Sequence, residues 1–185
     1  ITLGDVEAAD TLGYVIKLIA HTEKLENGKI KASVRPTLVS RSSIISGVDG
    51  VFNAVLVNGD QTGEVMFYGK GAGKEATASA VVADIMDCAK HLKARKYLFW
   101  EDAEKDFVDS SSNEFGKFYV NLKSDDFDNM KNSVTDILMD NEVSFVENKY
   151  QNTISLITQP ILKKDLLDKL KSFENCEIKV LHTMC

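Results

Sequence analysis

The residues best placed to do chemistry are Gly69-Lys70-Gly71-Ala72-Gly73-Lys74-Glu75-Ala76-Thr77-Ala78. Three glycines in five residues let the backbone turn sharply and let another group come close to it. A strand-like run ends at Tyr68, and a helical pattern runs on to about Leu92. Such a helix aims its free N–H groups and the positive end of its dipole back at the loop. That is the geometry of an anion or phosphate site. A plain strand-to-helix connector is the competing reading.

The better-known phosphate loops do not fit. A Walker A loop has four residues between its first Gly and the Gly-Lys, then Ser or Thr. Here only Lys70, Gly71 and Ala72 separate Gly69 from Gly73-Lys74, and Glu75 follows. The Rossmann fingerprint needs a small residue where Lys74 stands, inside a strand–helix–strand unit. No second parallel strand follows this helix.

Other candidates carry less. Cys88, Cys176 and Cys185 are far apart and lack a CxxC spacing, which argues against a metal site or a disulfide framework. Cys88 falls on the apolar stripe of its helix and reads as a core residue. His21, His91 and His182 have no second ligand at metal spacing. Asp84 and Asp87 read as a solvated helix edge, Lys17 as an exposed strand residue, and Asp5 and Asp10 as cap and helix surface. No G-x-S-x-G is present.

The elements that must hold the loop are legible. Thr2-Leu3-Gly4-Asp5 is a capping box with Asp in place of Glu, and Gly13 ends the short helix. From Tyr14 the period is two, with Tyr14, Ile16, Leu18, Ala20 and Thr22 on one face. Asn27-Gly28 turns the chain into a second strand that runs up to Pro36. Residues 37–47 are ambiguous between loop and short helix. Phe52–Val57 and Glu64–Tyr68 form a second hairpin about Asn58-Gly59. After the loop, Ala78, Val81, Val82, Ile85, Cys88, Ala89 and Leu92 share one face, which is expected to pack on the sheet. Trp100 is expected to pack against that helix.

Residues 93–113 change character, from basic Lys93–Lys96 to acidic Glu101–Asp109 to the loop Ser110–Asn113. This marks a boundary. The last third alternates cleanly. Phe118, Val120 and Leu122 line a strand; Phe127, Met130, Val134, Ile137 and Leu138 a helix; Val143–Glu147 and Ile154–Thr158 two strands. Pro160 opens a helix through Leu170, and Ile178–Leu181 closes the run. The order is βαββαβ, the ferredoxin-like plan. The fold class expected is therefore α+β: an antiparallel or mixed sheet covered by helices, then the ferredoxin-like unit. The divisions are 1–95, a linker 96–114, and 115–185.

The 185 residues allow one large or two small domains, and the charged fraction of 27% is that of an ordinary globular chain. A net charge of −6 with no basic stripe argues against nucleic acid. No apolar run reaches bilayer-spanning length, and no secretory signal is seen. A cytoplasmic protein is expected. The first residue is not Met, and a fragment of a longer protein is expected.

Several blocks together resemble homoserine dehydrogenase. They are Ile1–Asp5, Ala9–Leu18, Val34-Arg35-Pro36-Thr37-Leu38, Gly50–Val55, and above all Phe67–Gly73 with Thr77–Asp84. Residues 117–183 resemble an ACT domain, a ferredoxin-like regulatory module. The resemblance implies reversible conversion of aspartate semialdehyde to homoserine with NADP or NAD, on the way to threonine, isoleucine and methionine. It implies that Gly71, Ala72, Gly73 and Thr77 contact the dinucleotide. It places the family's catalytic lysine and aspartate, and its Rossmann domain, before Ile1, so residues 1–185 are expected to be inactive alone. It further implies a homodimer, with an amino-acid effector at Ser124, Asp125, Asp126 and Phe127. Two departures stand out. Ala76 replaces a common Pro, and Ser124-Asp125-Asp126-Phe127-Asp128 replaces the usual Pro-Gly turn, where three aspartates would repel an effector's carboxylate. The alternatives are a non-enzymatic amino-acid sensor and an oligomerisation module.

Overall fold

The structure is a computed structural model and describes residues 1–93, 99–109, 114–138 and 143–184. Lys96, the Ser110–Asn113 loop and Cys185 lie outside the described residues. The contacts divide the chain into two compact units, residues 1–46 with 106–185, and residues 47–105. This differs from the division expected from composition, because the first hairpin is part of the C-terminal sheet.

In the first unit, helix α1 (Leu3–Thr11) opens on a complete capping box. Asp5 N–H donates to the Thr2 hydroxyl, and the Asp5 carboxylate accepts from the Thr2 backbone. Gly13, at φ +83°, turns the chain out of the helix into β1 (Tyr14–Lys24). β1 pairs antiparallel with β2 (Ile30–Ser40) along its whole length. β2 continues past Pro36, where the sequence pointed to its end. The proline is tolerated because the ladder with β10 on the strand's other side begins at Thr37, one residue beyond it. Leu38 and Val39, in the ambiguous stretch, are fully buried strand residues. A short 3₁₀ turn, Ile44–Gly47, ends the segment.

The βαββαβ order is present as β6 (Phe118–Lys123), α3 (Phe127–Leu138), β7 (Phe145–Asn148), β8 (Thr153–Ile157), α4 (Lys163–Leu170) and β10 (Glu177–Met184). The full sheet order is β1-β2-β10-β6-β8-β7. The hairpin thus extends the ferredoxin-like sheet, with β2 parallel to β10. Ile161–Leu162 (β9) pairs with Phe115–Gly116 (β5), so α4 begins at Lys163 and not at Pro160.

Both faces of this sheet are covered. Phe118, Val120, Leu122, Ile154 and Leu156 point one way, into Met130 and Val134 of α3 and Leu166 and Leu170 of α4. Tyr119 and Ile157 point the other way, where Ala8 and Ala9 of α1 pack with Leu38. The alternation of period two in each strand assigns residues to the two layers. Full burial of each large side chain is worth about 2 kcal/mol.

The second unit contains the hairpin β3 (Phe52–Gly59) and β4 (Gly63–Lys70), and then α2 (Lys74–Lys90). Phe52 and Tyr68 stack with ring centroids 4.9 Å apart. No residue of α2 is buried: Val81, Val82, Ile85 and Met86 are all more than half exposed. The expectations that this stripe packs on the sheet and that Cys88 is a core residue are therefore corrected. So is the packing of Trp100, which is fully exposed. Periodicity identifies an apolar face but not what covers it.

Candidate functional site

The glycine loop forms as its sequence demands. Asn53 is paired with Gly69 across the hairpin, and its side chain leans over Gly71. A Cβ at Gly71 would lie 2.7 Å from the Asn53 Cγ and 3.0 Å from its Cβ, so a side chain there would force Asn53 to move. Gly73 is the N-cap of α2 with φ +124°, which L-residues rarely adopt. It offers no side chain to cap the helix. The first N–H groups of α2 therefore gain no acceptor from the N-cap side chain, and the space where a Gly73 Cβ would sit is open. Thr77 sits one turn into α2, exposed, its N–H bonded to the Gly73 carbonyl. Gly71, Ala72, Gly73 and Thr77 are thus gathered at one helix end. They fit a phosphate or ribose held against backbone N–H groups.

The second set divides. Ser124 and Asp126 line a cavity of about 230 Å³, with Asn129, Met130, Ser172 and Glu174. The Ser124 hydroxyl accepts from the Asp126 N–H, and the Asp126 carboxylate accepts from the Asn129 N–H, which caps α3. Asp125 and Phe127 are not in the lining. Phe127 packs against the core instead. No Lys or Arg lines the cavity among the described residues.

Two polar clusters have no counterpart in the sequence reading. Asp5 caps α1 as its position in the capping box predicts, and it is 1% exposed. Besides capping α1, its carboxylate accepts from Lys179 of β10 at 2.5 Å and from the Tyr119 hydroxyl of β6 at 3.3 Å. Tyr119 lies 3.1 Å from Ser155, which also accepts from Asn121. Burial alone would raise the Asp5 pKa, but the hydrogen bonds from Lys179 and Thr2 outweigh it and hold the carboxyl below its usual range. Burial, with Asp5 close by, pushes Tyr119 up to about 12.

The second cluster centres on Glu114. Its carboxylate meets Arg35 at 2.8 Å, Lys163 at 3.0 Å, Lys31 at 3.5 Å and His182 at 2.9 Å. Burial opposes ionisation there, yet the bonds from Arg35 and Lys163 and the neighbouring positive charges bring Glu114 to about 2. Burial, then the Arg35 charge, pushes His182 down to about 4 against the pull of Glu114. His182 also sets its ring edge-on to Phe118, centroids 4.9 Å apart. These residues are 49 to 79 positions apart where they meet Glu114 from Lys163 and Arg35, so no local spacing could announce them.

Comparison with known proteins fits this picture. The sequence pattern of the family described as homoserine dehydrogenase matches residues 1–86. The homoserine dehydrogenase of Neisseria gonorrhoeae is 51% identical over 90 residues, which is 49% of this chain and 20% of that protein. That of Helicobacter pylori is 32% identical over 180 residues, 94% of this chain and 42% of that protein. Among solved structures, an S. aureus homoserine dehydrogenase superposes on all of this chain and 45% of its own, with a TM-score of 0.70 and 31% identity. The chain spans less than half the length of these relatives, and the match lies in their C-terminal part. The matches to the Helicobacter protein and the S. aureus structure run well past residue 86, through the ferredoxin-like sheet. The chain belongs to the homoserine dehydrogenase family and corresponds to the C-terminal part of its members.

Proposed function

We propose that this chain is part of an enzyme that interconverts L-aspartate 4-semialdehyde and L-homoserine with NADP or NAD, in the biosynthesis of threonine, methionine and isoleucine. The observation that carries the reading is the Gly71-Ala72-Gly73 loop at the uncapped start of α2, inside the stretch matched to the family. Residues 1–95 contribute the end of the catalytic and dimerisation region, and 115–185 an ACT-type regulatory domain. The protein acts in the cytoplasm, as a homodimer. When bound, the dinucleotide supplies the hydride. Gly71, Ala72 and Gly73 hold it through backbone N–H groups, and Thr77 adds a hydroxyl at the same helix end. The Rossmann domain and the catalytic lysine and aspartate belong to a region outside these residues.

The test uses the protein carrying its Rossmann domain. Gly73→Val should raise KM for the dinucleotide at least about tenfold and leave KM for homoserine within about twofold, since it removes uniform cofactor binding. Equal effects on both, or none, would overturn the role of the loop. The 185 residues alone should show no turnover, and measurable reduction of the semialdehyde by them would refute the division of labour. An effector at the Ser124–Asp126 cavity is checked by calorimetry with threonine, methionine and isoleucine. Heat from one of them is expected, and flat traces for all three would count against an effector there.

A further inference from the structure

We infer that the cluster of Lys31, Arg35 and Lys163 is an anion site that takes a phosphate group, in the first compact unit and separate from the glycine loop. Three cations converge on the single carboxylate of Glu114, at 3.5, 2.8 and 3.0 Å. His182, the fourth partner, is neutral near pH 7, because burial and the Arg35 charge hold its pKa at about 4. The cluster therefore carries two positive charges more than Glu114 cancels. Glu23, opposite Lys31 across the hairpin, is exposed and offsets one of them at most.

Like charges held this close repel, and partial burial weakens the screening that would relieve them. The side chains of Lys31, Arg35 and Lys163 are 25%, 29% and 30% exposed, so each keeps an open side from which a second anion can be met. Lys163 is also the first residue of α4, whose N-cap, Leu162, supplies no side-chain acceptor. The Lys163 N–H is already bonded to the Glu114 carbonyl at 2.7 Å, so this helix end adds its dipole, not a free donor at that position, to the positive field. A guanidinium and two ammonium groups supply the donors and the charge that a phosphate dianion takes. The phosphate is either inorganic or carried on a nucleotide, and the experiment separates the two.

The measurement is thermal unfolding of the 185-residue chain in millimolar inorganic phosphate or AMP, against sodium chloride at equal ionic strength. Phosphate is followed in parallel by ³¹P NMR line width. Both ligands should raise Tm above the chloride control if the phosphate group alone is read, and AMP alone if the nucleotide matters. Arg35→Gln or Lys163→Gln should abolish the shift and the broadening. Glu114→Gln should strengthen phosphate binding about tenfold, because it removes the competing negative charge. A role confined to holding the fold together would give the opposite: a destabilised Glu114→Gln chain that phosphate does not rescue. Lack of a Tm shift and of broadening in both wild type and Glu114→Gln would overturn the site. So would a shift that survives in Lys163→Gln.

Discussion

Asp5 is a small group with many partners, and its energetics follow from that. One carboxylate caps α1, neutralises Lys179 and accepts from Tyr119. Asp5→Ala should cost about 3 kcal/mol in denaturant unfolding, since it leaves a half-buried ammonium and an uncapped helix. Tyr119→Phe should cost about 1 kcal/mol, the worth of a hydrogen bond whose partners keep others. His182 sets the pH dependence. Its pKa is lowered on folding from 6.5 to about 4, so the unfolded chain binds the extra proton. The stabilising contribution is complete above pH 6.5 and is lost as pH falls from there towards 4. The slope should approach roughly 1.4 kcal/mol per pH unit in that window. Below it Glu114, held at about 2, and Asp5 add their own loss as they protonate. His182→Gln should flatten the curve between pH 6.5 and 4 while leaving the acid limb. An unchanged slope in the variant would assign the dependence elsewhere.

Among the elements, the β3–β4 hairpin and its glycine loop are tuned to each other. Gly71 is small because the Asn53 side chain occupies the place a Cβ would need. Gly71→Ala should weaken the hairpin by about 1–3 kcal/mol through overpacking, seen as faster amide exchange along β3 and β4. Gly71→Ala with Asn53→Gly should regain part of that protection, which a loss of glycine flexibility alone would not allow. The exposed stripe of α2 behaves differently. Val81→Lys with Ile85→Lys should change the chain's own stability by less than about 0.5 kcal/mol, because neither side chain is buried within it. The same pair should lower self-association measured by light scattering if the stripe is sticky, as exposed apolar patches are.

Over the whole chain, residues 1–46 are not a separate body that precedes the ferredoxin-like domain. Their hairpin supplies two strands to its sheet, and their helix covers its second face. That union makes the unit of 1–46 with 106–185 a candidate for cooperative unfolding. A single transition reported equally by α1 and by α4 in amide exchange is expected. Independent loss of α1 would show that the Asp5 and Glu114 clusters carry little coupling.

Much of this was readable in order along the chain. The capping box, the Gly13 stop, the hairpin turns, the α3 helix from Phe127 to Leu138 and the βαββαβ order rest on short-range rules of propensity, turn chemistry and period, and they stand in the structure. The glycine loop was legible for the same reason, since Gly73 must adopt a φ that other residues avoid. What local pattern could not supply was which surface meets which. A stripe on α2 is apolar in any setting, and its partner is not encoded within reach of its own period. Pro36 reads as a strand end unless the ladder with β10 is known to begin just past it, at Thr37. Asp5 with Lys179, and Glu114 with Arg35, Lys163 and His182, are separated by up to 174 positions. Their meeting depends on the order in which six strands are laid side by side, and charge pairs distant in sequence acquire their meaning only from that arrangement.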